Sequence, residues 1–123
     1  AFLAALLFGP FPGAVVAFLA HLLTSFNVGM PLSLPIHLFI AVEMAIVCLI
    51  VGNIYKKGYL FLALFTGFLL NGVAAPATFI LIPQFGLPFF SMIVVPLLVG
   101  SAVNLIFASL LLKALKGRVR FEN

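Results

Sequence analysis

Long apolar runs, separated by prolines, glycines and short polar segments, dominate the pattern of this chain of 123 residues. Continuous apolar runs of this kind are typical of helices that lie in a membrane. The predicted helices cover residues 1–8, 12–26, 35–55, 59–82 and 89–115. The pattern therefore predicts an all-α protein.

Proline and glycine mark the predicted helix ends. The two prolines of "GPFPG" (Gly9 to Gly13) cannot both lie in a helix interior, which predicts a turn there. The helix 12–26 would have about 15 residues, close to or below the length that crosses a bilayer core of about 30 Å. Further along, Ser33 is the expected N-cap of the next helix and Pro35 suits its first turn.

Composition narrows the class to integral membrane proteins. Apolar residues make up 66% of the chain and charged residues 7%, whereas soluble domains have about 45–50% and about 25%. A water-soluble core of this size could not bury so many apolar side chains. Ala1 opens inside an apolar run without a methionine or a charged leader. We therefore expect one transmembrane helical domain, residues 1–123, whose N-terminal part is missing.

The six basic residues indicate an orientation in the membrane. One group is Lys56-Lys57, and the second comprises Lys113, Lys116, Arg118 and Arg120. Basic residues flank membrane spans on the cytoplasmic side, so this pattern favours membrane topology over nucleic-acid binding. We expect a multi-pass protein of the cell membrane with a cytoplasmic C-terminus. The loops 27–34 and 83–88 would then face outside.

Polar side chains concentrate near these outer loops, above all in "HLLTSFNVGMPLSLPIH". We expect them to line a ligand-binding mouth at the outer face. Tight metal sites need three or four ligands at matched spacing, so no metal is expected. The histidines could instead bond to the backbone or form a hydrogen-bonding wall for an organic ligand. The candidate residues of this mouth are His21, Thr24, Ser25, Asn27, His37 and Gln84.

Three further polar residues lie inside predicted spans. Asn71 and Asn104 fall on stripes of small residues, where an amide either binds a ligand or bonds across a helix interface. Glu43 lies near the bilayer centre, where a carboxyl group must be protonated, paired or hydrated. It is either a ligand or coupling site or part of an interhelix bond. His37, six positions away from Glu43, is not expected on the same helix face.

Catalytic groupings are absent from the sequence. It contains no Asp, only two Glu, and none of the motifs GxSxG, HExxH, CxxC or Walker A. We therefore expect a protein that is not an enzyme, needs no cofactor and cannot itself use ATP through a P-loop.

The run "LLFGPFPGAVVAFLAHLL" (Leu6 to Leu23) resembles the substrate-binding S components of energy-coupling factor (ECF) vitamin transporters. The segment "PLLVGSAVNLIFASLLLKALKGR" (Pro96 to Arg118) is similar to their final helix. Many members have Gly-Asp where this chain has Ala20-His21. The resemblance implies a six-helix bundle with both ends inside, of which this chain would contain the end of helix 2 and helices 3 to 6.

The same resemblance implies a function and partners. S components capture one vitamin or precursor at the outer face and work with a T component and two ABC ATPases. The segment "HLLTSFNVGMPLSLPIHLFIAVEM" (His21 to Met44) looks most like the α-ribazole transporters of cobalamin salvage. Hydroxymethylpyrimidine or thiamine S components are the next candidates. A stand-alone secondary transporter or channel using Glu43 is the alternative from another class, and a purely structural membrane subunit is a third.

Overall fold

Every regular element in the computed structural model, which describes residues 1–30 and 33–116, is a helix. Four of the helices described are long and apolar enough to cross a membrane, and α1 is a short helix before them. The all-α prediction is confirmed for these residues. In chain order the helices are α1 Phe2–Phe8, α2 Pro10–Asn27, α3 Leu34–Lys56, α4 Leu60–Leu81 and α5 Gly86–Lys116.

The break between α1 and α2 is narrower than predicted. Only Gly9 leaves the helical conformation, with a φ of 105° that favours glycine. Pro10 and Pro12 both lie in the first turn of α2, where their missing N–H groups cost no helical hydrogen bond. The predicted start at Pro12 is therefore wrong, and α2 has 18 residues instead of about 15.

Helix α3 starts where the sequence predicted, but the N-cap side chain does not make the usual capping hydrogen bond. Ser33 is the N-cap residue and Pro35 lies in the first turn, as predicted. The Ser33 side chain makes no capping hydrogen bond. Its φ of 83° lies outside the extended region in which an N-cap side chain reaches the free N–H groups of the first turn.

Helix α4 changes its winding, which the sequence pattern did not predict. It is α-helical over Leu60–Leu69, π-helical over Leu70–Ala74, α-helical over Ala75–Ala77 and 3₁₀ over Thr78–Leu81. Pro76 lacks an N–H group and its ring crowds the preceding turn, so a regular α-helical ladder cannot continue through it. π-Helical segments are rare, occur mostly as single turns inside α-helices, and are frequent at functional sites.

Small residues bring the first three helices into close contact. A Cβ atom on Gly13 would lie 2.5 Å from the Ala5 Cα, and one on Gly52 would lie 2.6 Å from the Pro10 Cα. α3 packs on α2 and α4, while α5 packs on α1 and α4. This arrangement leaves room between α2, α3 and α5, and the polar side chains lie there.

The described lysines gather at one end of the bundle. Lys56 and Lys57 are exposed at the turn between α3 and α4. Ser109 and Leu110, near the end of α5, line the same groove as Phe61 at the start of α4, which places exposed Lys113 at this end too. The end of α2, the start of α3 and the loop 82–85 therefore lie at the opposite end. The basic residues beyond Lys116 lie outside the described part of the chain.

Candidate functional site

A cleft of about 510 Å³ opens between α2, α3, α4 and α5, in the half of the bundle away from the lysines. Ile40, Met44 and Ile93 contribute to walls that are mainly apolar. Five of the nine predicted binding residues line this cleft. They are His21, His37, Glu43, Asn71 and Asn104.

The two histidines meet across α2 and α3. His21 Nε2 lies 3.3 Å from His37 Nδ1 and 3.2 Å from Ser25 Oγ, one turn further along α2. Of the two facing nitrogens, one must carry the proton and the other must accept it. Protonation of both rings would direct two N–H groups at each other, so this contact accommodates at most one imidazolium.

Ser25 does not line the cleft but bonds to a residue that does. Its side chain is buried, at 3% exposure, and bonds to His21 within α2. This bond limits the orientation of the His21 ring, because the ring nitrogen Nε2 must point toward the Ser25 hydroxyl. Ser25 therefore acts on the cleft through the histidine.

Glu43 bonds across to α4. Its Oε2 lies 2.8 Å from Thr78 Oγ1, which also lies 2.6 Å from the backbone oxygen of Ala75. The pairing of Thr78 with Glu43 depends on how α3 and α4 are rotated against each other. No residue pattern along the chain indicates that rotation.

Glu43 and His37 line the same cleft, although their spacing places them on different faces of α3. At about 100° per residue they are separated by about 120° around the helix axis. A cleft between several helices is wide enough to be lined by an arc of this size. The spacing therefore predicted the separate faces, but it did not indicate that both faces border one cleft.

Asn71 and Ser101 join α4 to α5. Asn71 Nδ2 donates to Ser101 Oγ at 2.6 Å, and the Ser101 side chain is only 1% exposed. Asn71 belongs to the π-helical turn, so the wider winding sets the direction of its amide. Ser101 was not among the predicted binding residues, although it lies beside the stripe that contains Asn104.

The Asn71–Ser101 bond should contribute measurably to stability. Asn71→Ala removes the partner of a buried hydroxyl, and we expect the free energy of unfolding to fall by about 1 kcal/mol. Equilibrium unfolding in mixed detergent micelles measures this change. Asn53→Ala is the control, because exposed Asn53 bonds only to Leu49 of its own helix. If Asn71→Ala and Ser101→Ala have strictly additive effects in the double variant, the bond carries no coupling energy.

A second cleft of about 570 Å³ adjoins the first on the side of α1. Thr24 lines this second cleft and not the first. Both clefts share a wall, so a side chain in it can reach either one. The shared wall contains His21, Met44, Asn71 and Asn104.

Besides Ser25, two predicted binding residues line neither cleft. Asn27, at the end of α2, and Gln84, in the loop 82–85, are exposed and absent from both linings. Both lie at the loop end of the bundle, as expected. Their side chains extend beyond the helix packing that forms the clefts, and their role at the outer mouth stays a prediction.

Aromatic rings close the loop end of the first cleft. Phe79 and Phe89 line it, with ring centroids 5.2 Å apart, and Phe85 lies 4.6 Å from Phe89. Phe26, at the end of α2, is 75% exposed and does not line this cleft. Phe79 was not predicted, since one phenylalanine among fifteen gives no distinguishing signal.

Within residues 1–30 and 33–116, no three His, Cys, Asp or Glu side chains come together as a metal site would require. Comparisons with protein-family models, with curated proteins and with solved structures give no match. The geometry of the cleft and the sequence resemblance are therefore the basis for a functional proposal.

Proposed function

We propose that this chain is a substrate-binding membrane subunit that captures a small organic molecule in the cleft between α2, α3, α4 and α5. The observation that supports this most directly is the convergence of six polar side chains from four helices on one mainly apolar cleft. Ligand sites are typically concave and apolar with a few converging polar groups, in a volume of about 300–1,000 Å³. The cleft volume of about 510 Å³ lies within this range.

The polar groups suit a nucleoside-like or vitamin-like ligand. Imidazole, amide and hydroxyl groups can both donate and accept hydrogen bonds, as recognition of sugar hydroxyls or heterocyclic nitrogens requires. Phe79 and Phe89 offer ring faces for a planar base at the loop end. Our specific proposal is α-ribazole, an aromatic base on a ribose, with hydroxymethylpyrimidine or thiamine as the next candidates.

The resemblance to S components supports a place in an ECF-type importer of the cell membrane. In this proposal the lysine end faces the cytoplasm with the C-terminus, and the loops 28–33 and 82–85 face outside. A T component and two ABC ATPases supply the energy, since the chain has no Walker A motif. Capture of the ligand itself needs no ATP.

Ligand capture can be tested with purified protein in detergent. α-Ribazole, hydroxymethylpyrimidine and thiamine are added without ATP, and the true ligand is expected to raise the melting temperature by mass action. His21→Ala or His37→Ala should weaken its affinity about tenfold, because each removes a hydrogen-bonding group from the cleft. Asn53→Ala, at the opposite end of α3, is the control. Unchanged affinity in both histidine variants would contradict the proposed site.

One observation favours a second candidate, a stand-alone secondary transporter. Glu43, an ionisable residue within a span, lines the cleft, and such residues often carry protons or cations in transporters. Uptake driven by a proton gradient into vesicles without any ATPase would favour this candidate. Absence of both ligand binding and uptake would leave the third, a structural subunit.

A further inference from the structure

The hydroxyl group of Thr78 lies between two oxygen atoms. Thr78 Oγ1 is 2.6 Å from the backbone oxygen of Ala75 and 2.8 Å from Oε2 of Glu43. Both distances are those of good O–H···O hydrogen bonds. The backbone oxygen can only accept, and so can an ionised carboxylate.

The number of protons available for the two Thr78 contacts distinguishes a protonated Glu43 from an ionised one. A threonine hydroxyl has one proton, so it cannot make a full hydrogen bond to both the Ala75 oxygen and a carboxylate. If Glu43 is protonated, its O–H donates to Thr78 Oγ1, and the Thr78 hydroxyl donates to Ala75. The protonated form thus makes both observed contacts full hydrogen bonds, whereas the ionised form leaves one of them unmade.

Among the described residues, the surroundings of Glu43 contain no lysine or arginine that could compensate a carboxylate charge. The cleft contains two other titratable side chains among the described residues, His21 from α2 and His37 from α3. The lining residues from α4 and α5 are uncharged. On its other side Glu43 borders a small cleft lined by apolar residues and Thr78. No lysine or arginine lines either cleft in the described part of the chain.

The second oxygen of Glu43 is available to a ligand. Oε1 has no hydrogen-bond partner among the described residues, and the side chain is only partly buried. In a protonated carboxyl group whose Oε2–H donates to Thr78, Oε1 is the carbonyl oxygen and accepts a hydrogen bond.

We infer that Glu43 is held as a neutral carboxylic acid by the Ala75–Thr78 contact, and that its Oε1 selects an uncharged ligand with an N–H or O–H donor. The ligand part of this inference rests on the proposed function, whereas the protonation state does not. No lysine or arginine lines the cleft among the described residues, and the His21–His37 contact accommodates at most one positive charge. Desolvating a phosphate or carboxylate group there is therefore costly. We expect phosphorylated forms of a ligand to bind much more weakly than the uncharged form.

Infrared spectroscopy tests the protonation state directly. The chain has no aspartate and only two glutamates, Glu43 and Glu122, so its carboxyl spectrum is simple. At neutral pH we expect a C=O band of a protonated carboxyl group, above the amide I band, in the complete chain. Glu43→Gln should remove the band, and the matched control Glu122→Gln should leave it. Absence of the band in the unsubstituted chain, or its survival in Glu43→Gln, would overturn the inference.

Thr78 variants test the hydrogen bond itself. Thr78→Val removes the hydroxyl at nearly constant volume, and the carboxyl band should shift or disappear because the acid loses its acceptor. Thr78→Ser keeps the hydroxyl and should keep the band near its original frequency. A Thr78→Val spectrum identical to that of the unsubstituted chain would show that Glu43 does not donate a hydrogen bond to Thr78. The argument for a protonated Glu43 from the two Thr78 contacts would then fail.

Binding measurements test the ligand part separately. With α-ribazole as the probe, Glu43→Ala should weaken binding about tenfold, and Glu43→Gln should weaken it less because the amide retains an acceptor oxygen. The phosphate ester of α-ribazole should bind much more weakly. Equal losses in both variants, or equally tight binding of the ester, would overturn the ligand part. If neither α-ribazole nor its ester binds to the unsubstituted chain, the proposed α-ribazole function and the ligand part fail together, while the infrared result still decides the protonation state.

Discussion

Replacing Gly52 with alanine is expected to lower the free energy of unfolding by about 3 kcal/mol, at the upper end of overpacking effects. The new Cβ would lie 2.6 Å from the Cα and 2.8 Å from the N of Pro10. Both are backbone atoms at the start of α2, where the proline ring limits adjustment. α2 and α3 would have to move apart. Equilibrium unfolding in mixed micelles measures the change.

The control for this experiment is the same substitution at another helical glycine. A Cβ on Gly100 has no atom within 4 Å outside its own stretch of helix. We expect Gly100→Ala to leave stability unchanged or to raise it slightly, since alanine favours the helix more than glycine does. Equal stability of the Gly52 and Gly100 variants would show that α2 and α3 do not approach as closely as described.

A phenylalanine at position 100 is expected to reduce ligand affinity at least a hundredfold while the protein stays folded. Gly100 lines the cleft, and the space next to its Cα is open. A phenyl ring there would occupy part of the volume of about 510 Å³ that the ligand needs. Because the ring fills existing space, the bundle does not have to expand. The measurement is a titration with a ligand that raises the melting temperature.

Two control variants distinguish a blocked cleft from an unfolded protein. Gly100→Ala adds one methyl group and should bind the ligand much more strongly than Gly100→Phe does. Val103→Phe adds a similar ring at an exposed position of α5 that lines neither of the two clefts. If Gly100→Phe binds as tightly as Val103→Phe, the ligand does not occupy this cleft.

The helices were predictable because their signals are local. Proline, glycine and polar loop residues act within a few positions of themselves, so the ends of α3 and α5 fall within a few residues of the predicted ones. The predicted break at Gly9–Gly13 was too long, because the first turn of a helix tolerates proline. The π turn in α4 was missed because no residue specifies it alone.

For the candidate site, the sequence could predict which polar residues take part but not how they are arranged. A polar side chain in an apolar run must meet a partner, so His21, Glu43 and Asn71 could be selected without coordinates. Which partner each one meets was not predictable. Asn27 and Gln84 were selected because they belong to the outer loops, and they lie outside the clefts.

The sequence by itself determined that this protein is an assembly of long apolar helices with polar groups concentrated toward one end. Composition and the positions of proline and glycine are sufficient for that, because burial of backbone polar groups in an apolar environment requires helices. The tertiary structure alone decided the pairs His21–His37, Glu43–Thr78 and Asn71–Ser101. Each pair joins two helices whose relative rotation and depth are set by many packing contacts at once, including the close approach of Gly52 to Pro10.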